Sequence, residues 1–273
     1  MIAVHVDSKP GSSTMTKRLA TVTLTIASAA SLLLFGSTAA SAASPPHAIT
    51  VTPADVSSPL GIITTSTTMD EFLVSIVTTV DGYWSEVWNT DGLATPMVNY
   101  AFPLPGEAVE TLCTQTGLSD DVSAFYCPAD DTIVVSQQFA TRVWEGAIKA
   151  NPDLTELYPT GDFSVAYVVA HEYAHSLQAE LGWVTDTSLA YPGYKIELHA
   201  DCWAGVWANS AYYAGILESG DVEEAVQTAL DLGDYYVTDP THHGTPAQRS
   251  EAFLTGYNSG LPEACESYLT DPY

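Results

Sequence analysis

Apolar residues recur every fourth position at Phe72, Ile76, Val80, Trp84 and Trp88, one face of a helix at 3.6 residues per turn. Thr68-Met69-Asp70-Glu71 stands directly before them in the pattern of a capping box, so a helix is expected over 69–89. The stretch from Asp162 to Leu181 has no Gly or Pro and carries Val165, Val168, Val169 and Leu177. It predicts a buried helix ending at Gly182. Further helices are expected from about Tyr194 to Leu217 and from Asp221 to about Leu232. Another opens at Thr245-Pro246-Ala247-Gln248, with a capping box and Pro in its first turn.

Strand signals are fewer. Thr132-Ile133-Val134-Val135-Ser136 is the strongest β-branched run, and Met97 to Phe102 predicts a short strand among the breakers Pro96, Pro103, Pro105 and Gly106. From Gln137 to Ala150 the pattern returns to helix. The expected class is α+β, mostly helical, with one main domain.

Ahead of this domain, Lys17 and Arg18 precede an apolar run from Leu19 to Phe35, followed by small residues ending Ala40-Ser41-Ala42. Residues 1–42 therefore read as a secretory signal peptide. Kept rather than cleaved, the same segment would anchor the chain in a membrane. Residues 43–68, rich in Ser, Thr and Pro, read as a linker, which leaves 69–273 as the folded domain.

Charge narrows the possible partners. The 33 Asp and Glu against 7 Lys and Arg give a formal net charge of −26. Removal of 1–42 leaves 32 acidic and 4 basic residues, a net −28. A field of that sign repels phosphate backbones and excludes a nucleic-acid partner. It suits high salt, a low-pH exterior or a cationic substrate. Cys113, Cys127, Cys202 and Cys265 form an even set in an exported chain, which favours two disulfides over sulfur ligation of a metal. Trp84 with Trp88 and Trp203 with Trp207 follow helical spacing, which points to core packing rather than to a sugar platform.

The chemistry lies in His171-Glu172-Tyr173-Ala174-His175. Two histidines four apart on a helix differ by about 40° around its axis, so both imidazoles can hold one metal ion. Glu172 is offset by one residue and reaches a water without being a ligand itself. The next long helix supplies Glu197 as third ligand, with one tetrahedral position left for water. Asp201, one turn on, shares the Glu197 face, where it can accept a hydrogen bond from the free ring nitrogen of a ligating histidine. His199 is the rival third ligand, turned about 200° from Glu197.

These residues resemble the bacterial neutral zinc metallopeptidases, a gluzincin-like group. The likeness spans roughly 69–273. Besides His171-Glu172-x-x-His175 with Gln178, it rests on Ala124-Phe125-Tyr126-Cys127-Pro128-Ala129-Asp130 and Ala200-Asp201-Cys202-x-Ala204-Gly205-Val206-Trp207-Ala208. A fourth motif is His243-Gly244-Thr245-Pro246-Ala247-Gln248-Arg249.

The resemblance implies one zinc ion per chain on His171, His175 and Glu197, Glu172 as general base, and disulfides Cys113–Cys127 and Cys202–Cys265. It also implies a zincin-like fold with a small antiparallel sheet. The chain departs from the family in lacking the usual Tyr after Asp130, and in doubling a histidine at His242-His243, which leaves open which ring faces the metal. The His243 to Arg249 spacing is similar to that of membrane-embedded CAAX-processing peptidases. On that likeness His243 and Arg249 are expected to donate to the transition-state oxyanion, although Arg249 can instead pair with a carboxylate. The strand at Ile133 to Ser136 is expected to receive an extended substrate by edge addition. The function expected is a secreted zinc endopeptidase acting on peptide or protein substrates, with no stable membrane span after signal cleavage. The alternative is a catalytically silent zincin-like exported binding module.

Overall fold

The computed structural model describes residues 50–51, 67–114, 117–150, 153–154, 157–185, 188–189 and 191–270. The expected signal segment and most of the linker lie outside them. The fold is α+β and mostly helical. Thr50–Val51 (β1) pairs antiparallel with Thr67–Thr68 (β2), which runs directly into α1, Met69–Thr90. The capping box at its start is present: Thr68 Oγ1 accepts from the Glu71 amide, and Glu71 Oε2 accepts from the Thr68 amide.

Three strands follow: Asn99–Ala101 (β3), Ala124–Cys127 (β4) and Thr132–Val135 (β5). The sheet order is β3-β5-β4, with β3 parallel and β4 antiparallel to β5. This corrects the expected antiparallel sheet to a mixed one. It also moves the free edge. Ile133 and Val134, in the most β-branched segment, are paired on both sides and, like Val135, fully buried, so β5 is the central strand and offers no free edge to a peptide there. Ala124–Cys127 holds the outer position.

The helices after the sheet are α2 (Gln137–Trp144), α3 (Asp162–Glu180), α4 (Gly193–Tyr213), α5 (Asp221–Leu232), α6 (Pro246–Ser259) and α7 (Glu266–Thr270). Helix α2 is shorter than the 137–150 expected. Gly146 takes φ +66°, a left-handed conformation that ends the helix, and Ile148 packs on the core from the loop beyond. Helix α4 likewise stops before Leu217, with Gly215 at φ +71°.

Helix α3 is buried on nearly every side, as its all-round apolar sequence requires. Trp84, Trp88 and Trp203 pack ring against ring with centroids 5.2–5.8 Å apart, so the spaced tryptophans do form core. Helices α4 and α6 cross at two glycines. A methyl group at Gly205 would overlap the Phe253 carbonyl, and one at Gly256 would overlap the Cys202 carbonyl. The backbones are in contact there.

Both expected disulfides form. Cys113–Cys127 ties the preceding loop to the end of β4, and Cys202–Cys265 ties α4 to a 3₁₀ turn at Pro262–Cys265. Among the described residues no helix is long and apolar enough to cross a membrane.

Candidate metal centre

Three side chains from α3 and α4 meet at one point. His171 Nε2 lies 3.1 Å from Glu197 Oε2 and 3.1 Å from His175 Nε2, and His175 Nε2 lies 3.5 Å from Glu197 Oε2. Ligands held ~2.0–2.1 Å from a tetrahedral zinc stand about 3.3–3.4 Å apart. The triangle fits that ion.

The outer ring nitrogens strengthen the fit. His171 Nδ1 sits 2.7 Å from Asp201 Oδ1, and His175 Nδ1 sits 2.8 Å from Gln178 Oε1. Both partners accept, so in neutral rings both protons are at Nδ1 and both Nε2 lone pairs point at each other and at the Glu197 carboxylate. Three converging acceptors need a positive charge among them. A proton is the simplest such charge: burial lowers the His171 pKa, yet Asp201 and Glu197 outweigh it and push it up to about 10. His175 is also raised: burial opposes the shift and Glu197 drives it. Burial acts to raise Glu197, but the two imidazoles hold it well below the usual carboxylate range.

Behind His171 stands a buried ion pair. Arg249, delivered by α6, donates Nε to Asp201 Oδ2 and Nη2 to Asp201 Oδ1, each at 2.8 Å. The remaining guanidinium donors reach the Leu232 carbonyl and Tyr167 Oη. Tyr167 donates its own hydroxyl proton to Asp201 Oδ1. Against the effect of burial, Arg249 and His171 keep Asp201 down at about 2. The fork expected to serve an oxyanion is therefore committed to a carboxylate, the other partner considered for it.

Glu172 lines the same cavity, and among the described residues nothing hydrogen-bonds its carboxylate. The two adjacent histidines part company. His242 is buried with Nδ1 2.6 Å from Asp234 Oδ1, whereas His243 is exposed and lines the cavity, its amide donating to Asp234 Oδ2. Of the two, His243 is the residue that lines the cavity.

His199 does not join the triangle. It is fully buried, it accepts from Gln178 at Nδ1, and burial lowers its pKa to about 3. The cavity of about 300 Å³ also takes in Ala124, Phe125 and Tyr126 of the edge strand and the apolar Phe139, Val168 and Leu232. Tyr167 and the role of Gln178 escaped the sequence reading. Both lie one turn from a motif histidine, at −4 from His171 and +3 from His175, and that spacing is the signal that would have found them.

The family model described as "Putative neutral zinc metallopeptidase" matches residues 10–268. Among curated proteins, the chain is 34% identical over 163 residues to the uncharacterized protein YpfJ of Escherichia coli K12, covering 53% of each chain. It is 32% identical over 178 residues to the uncharacterized proteins Mb2605 of Mycobacterium bovis and Rv2575 of Mycobacterium tuberculosis, covering 55% of this chain and 56% of theirs. The chain thus spans about half the length of these relatives. No solved structure matches it.

Proposed function

The chain belongs to the neutral zinc metallopeptidase family, and from that premise we propose that it is an exported zinc endopeptidase that cleaves extended peptide segments. The observation that carries the reading is the triangle of His171, His175 and Glu197, whose outer nitrogens are already tied so that only acceptors face inward. Zinc held by these three residues supplies Lewis acidity that polarises a scissile carbonyl and lowers the pKa of a water.

The chain's own groups do the rest. Glu172, with no competing hydrogen bond, takes the proton from the attacking water and passes it to the leaving amine. His243, exposed at the cavity wall, donates to the carbonyl oxygen as negative charge develops there. Arg249 works through Asp201, fixing the carboxylate that orients His171. The outer edge of Ala124–Cys127 offers unpaired backbone groups to an extended substrate, and Phe125, Phe139 and Leu232 offer an apolar wall for one of its side chains. The strong negative charge favours cationic proteins as substrates and disfavours nucleic acid.

Export is supported by the signal-like segment 1–42 and by two disulfides, which persist in oxidising compartments. The test is hydrolysis of an unfolded protein by the purified chain with one equivalent of zinc, beside Glu172→Gln prepared identically. Turnover confined to the unsubstituted chain and abolished by a chelator is expected. One zinc per chain with no turnover in either would instead assign a binding module.

A further inference from the structure

The two histidines of the triangle are backed by different chemistry. Behind His171 stands a carboxylate; behind His175 stands the neutral amide of Gln178. Gln178 is fully buried, and the bonds it makes fix which way its amide faces. The Ile196 carbonyl, 2.9 Å from Nε2, can only accept, so the nitrogen points there. Its second N–H is 3.0 Å from His199 Nδ1. The oxygen is then left for His175 Nδ1–H. His199 is itself held, its ring against Trp203 and Trp183 with centroids 4.2 and 5.4 Å away.

Ile196 and His199 flank Glu197 in the same turn of α4. One side chain of α3 therefore grips the backbone beside one corner of the triangle while its oxygen sets the ring of another.

We propose that Gln178 is a positioning residue of the metal centre: its amide oxygen fixes the ring orientation and tautomer of His175, and its amide nitrogen locks that oxygen to the turn bearing Glu197. This inference rests on the zinc reading above. An amide oxygen accepts the Nδ1 proton without drawing it away as a carboxylate does.

Two substitutions separate positioning from mere helix clamping. Gln178→Met keeps the volume but removes every hydrogen bond. Gln178→Glu keeps an acceptor for His175 but removes both donors to α4. Zinc dissociation constants by chelator competition, with melting temperatures of the metal-free proteins alongside, are the readouts. Gln178→Met should lose about 10- to 100-fold in zinc affinity. Gln178→Glu should recover part of that loss, since it restores an acceptor for His175 without the lock to α4, although it melts as low as the Met variant. Equal zinc losses in the two variants, or unchanged zinc binding in Gln178→Met, would overturn the proposal.

If neither variant folds, ¹⁵N NMR of the unsubstituted zinc-loaded chain decides. His175 should show a protonated, exchange-protected Nδ1 and a metal-bound Nε2, and ligation through Nδ1 overturns the proposal. An unsubstituted chain that binds no zinc would overturn the peptidase reading, and the proposal with it.

Discussion

Replacing Arg249 by methionine would leave Asp201 as a fully buried carboxylate without its countercharge. The guanidinium contributes two of the hydrogen bonds that Asp201 accepts, both at 2.8 Å, and the remaining two come from Tyr167 and His171. Each charge-assisted bond is worth about 1.5–3 kcal/mol, and breaking a buried pair from one side costs about 3–5 kcal/mol because the surviving charge stays buried. For a domain of this size that corresponds to a melting temperature lower by about 6–20 °C. The damage should spread to the metal. With Arg249 gone, the pKa of Asp201 rises, and a carboxyl that keeps its own proton orients His171 less well, so zinc affinity falls about 10- to 100-fold. Denaturant unfolding of the metal-free protein with disulfides intact, together with chelator competition, measures both. A loss under about 1 kcal/mol would refute the ion-pair argument. Intact stability and zinc binding with turnover alone abolished would return Arg249 to the direct oxyanion role suggested by its spacing from His243.

Three further outcomes follow from the geometry. His243→Ala should cost on the order of 100-fold in turnover with zinc affinity unchanged, and a matched fall in zinc binding would show that the ring serves the metal instead. In the first turn of α5, Glu224 and Asp221 are pushed up to about 8 and about 6 by burial first and then by charge, Asp162 and Asp221 acting on Glu224, and Asp162, Glu218 and Glu223 on Asp221. Their ordinary values are 4.5 and 3.8, so the folded chain keeps protons that the unfolded chain releases. Their contribution is complete at low pH and lost as pH rises towards 8. Glu224→Gln should flatten that decline in melting curves taken from pH 4 to 9, and an unaltered profile would reject the cluster as its source. Opening the Cys202–Cys265 disulfide, with its separation of 63 residues, should cost about 4 kcal/mol, against about 3 for Cys113–Cys127 with 14. Equal losses from the two paired-cysteine variants would show that chain entropy does not set the order.

The helical part of the molecule was readable because it is locally encoded. The four-residue rhythm from Phe72 to Trp88 and the unbroken apolar run from Asp162 end close to where the helices do. Both capping boxes, at Thr68 and Thr245, form as their spacing indicates. The triangle of ligand atoms was equally accessible, since two of its members lie four apart on one helix. What escaped depends on contacts distant in sequence. Ala124-Phe125-Tyr126-Cys127 is short and only partly buried, so β4 declared itself as a motif and not as a strand, and the edge was assigned to its more β-branched neighbour. Whether Arg249 faces solvent or Asp201 is decided by how α6 lies on α4, which no local pattern encodes. The length of α2 turned on Gly146, where the chain bends away while Ile148 still reaches the core.

The touching backbones at Gly205 and Gly256 carry a consequence for how proteins of this family lose function. Neither residue has a side chain to offer the reaction, yet they set how near α6 lies to α4, and so how far Arg249 reaches towards Asp201. A single missense change to alanine or serine at either position forces the helices apart and slackens the carboxylate behind His171. A survey that ranks relatives as active by intact histidines and glutamates would pass such a protein. Its silencing lesion would be one added methyl or hydroxymethyl group, away from every residue that a motif search inspects.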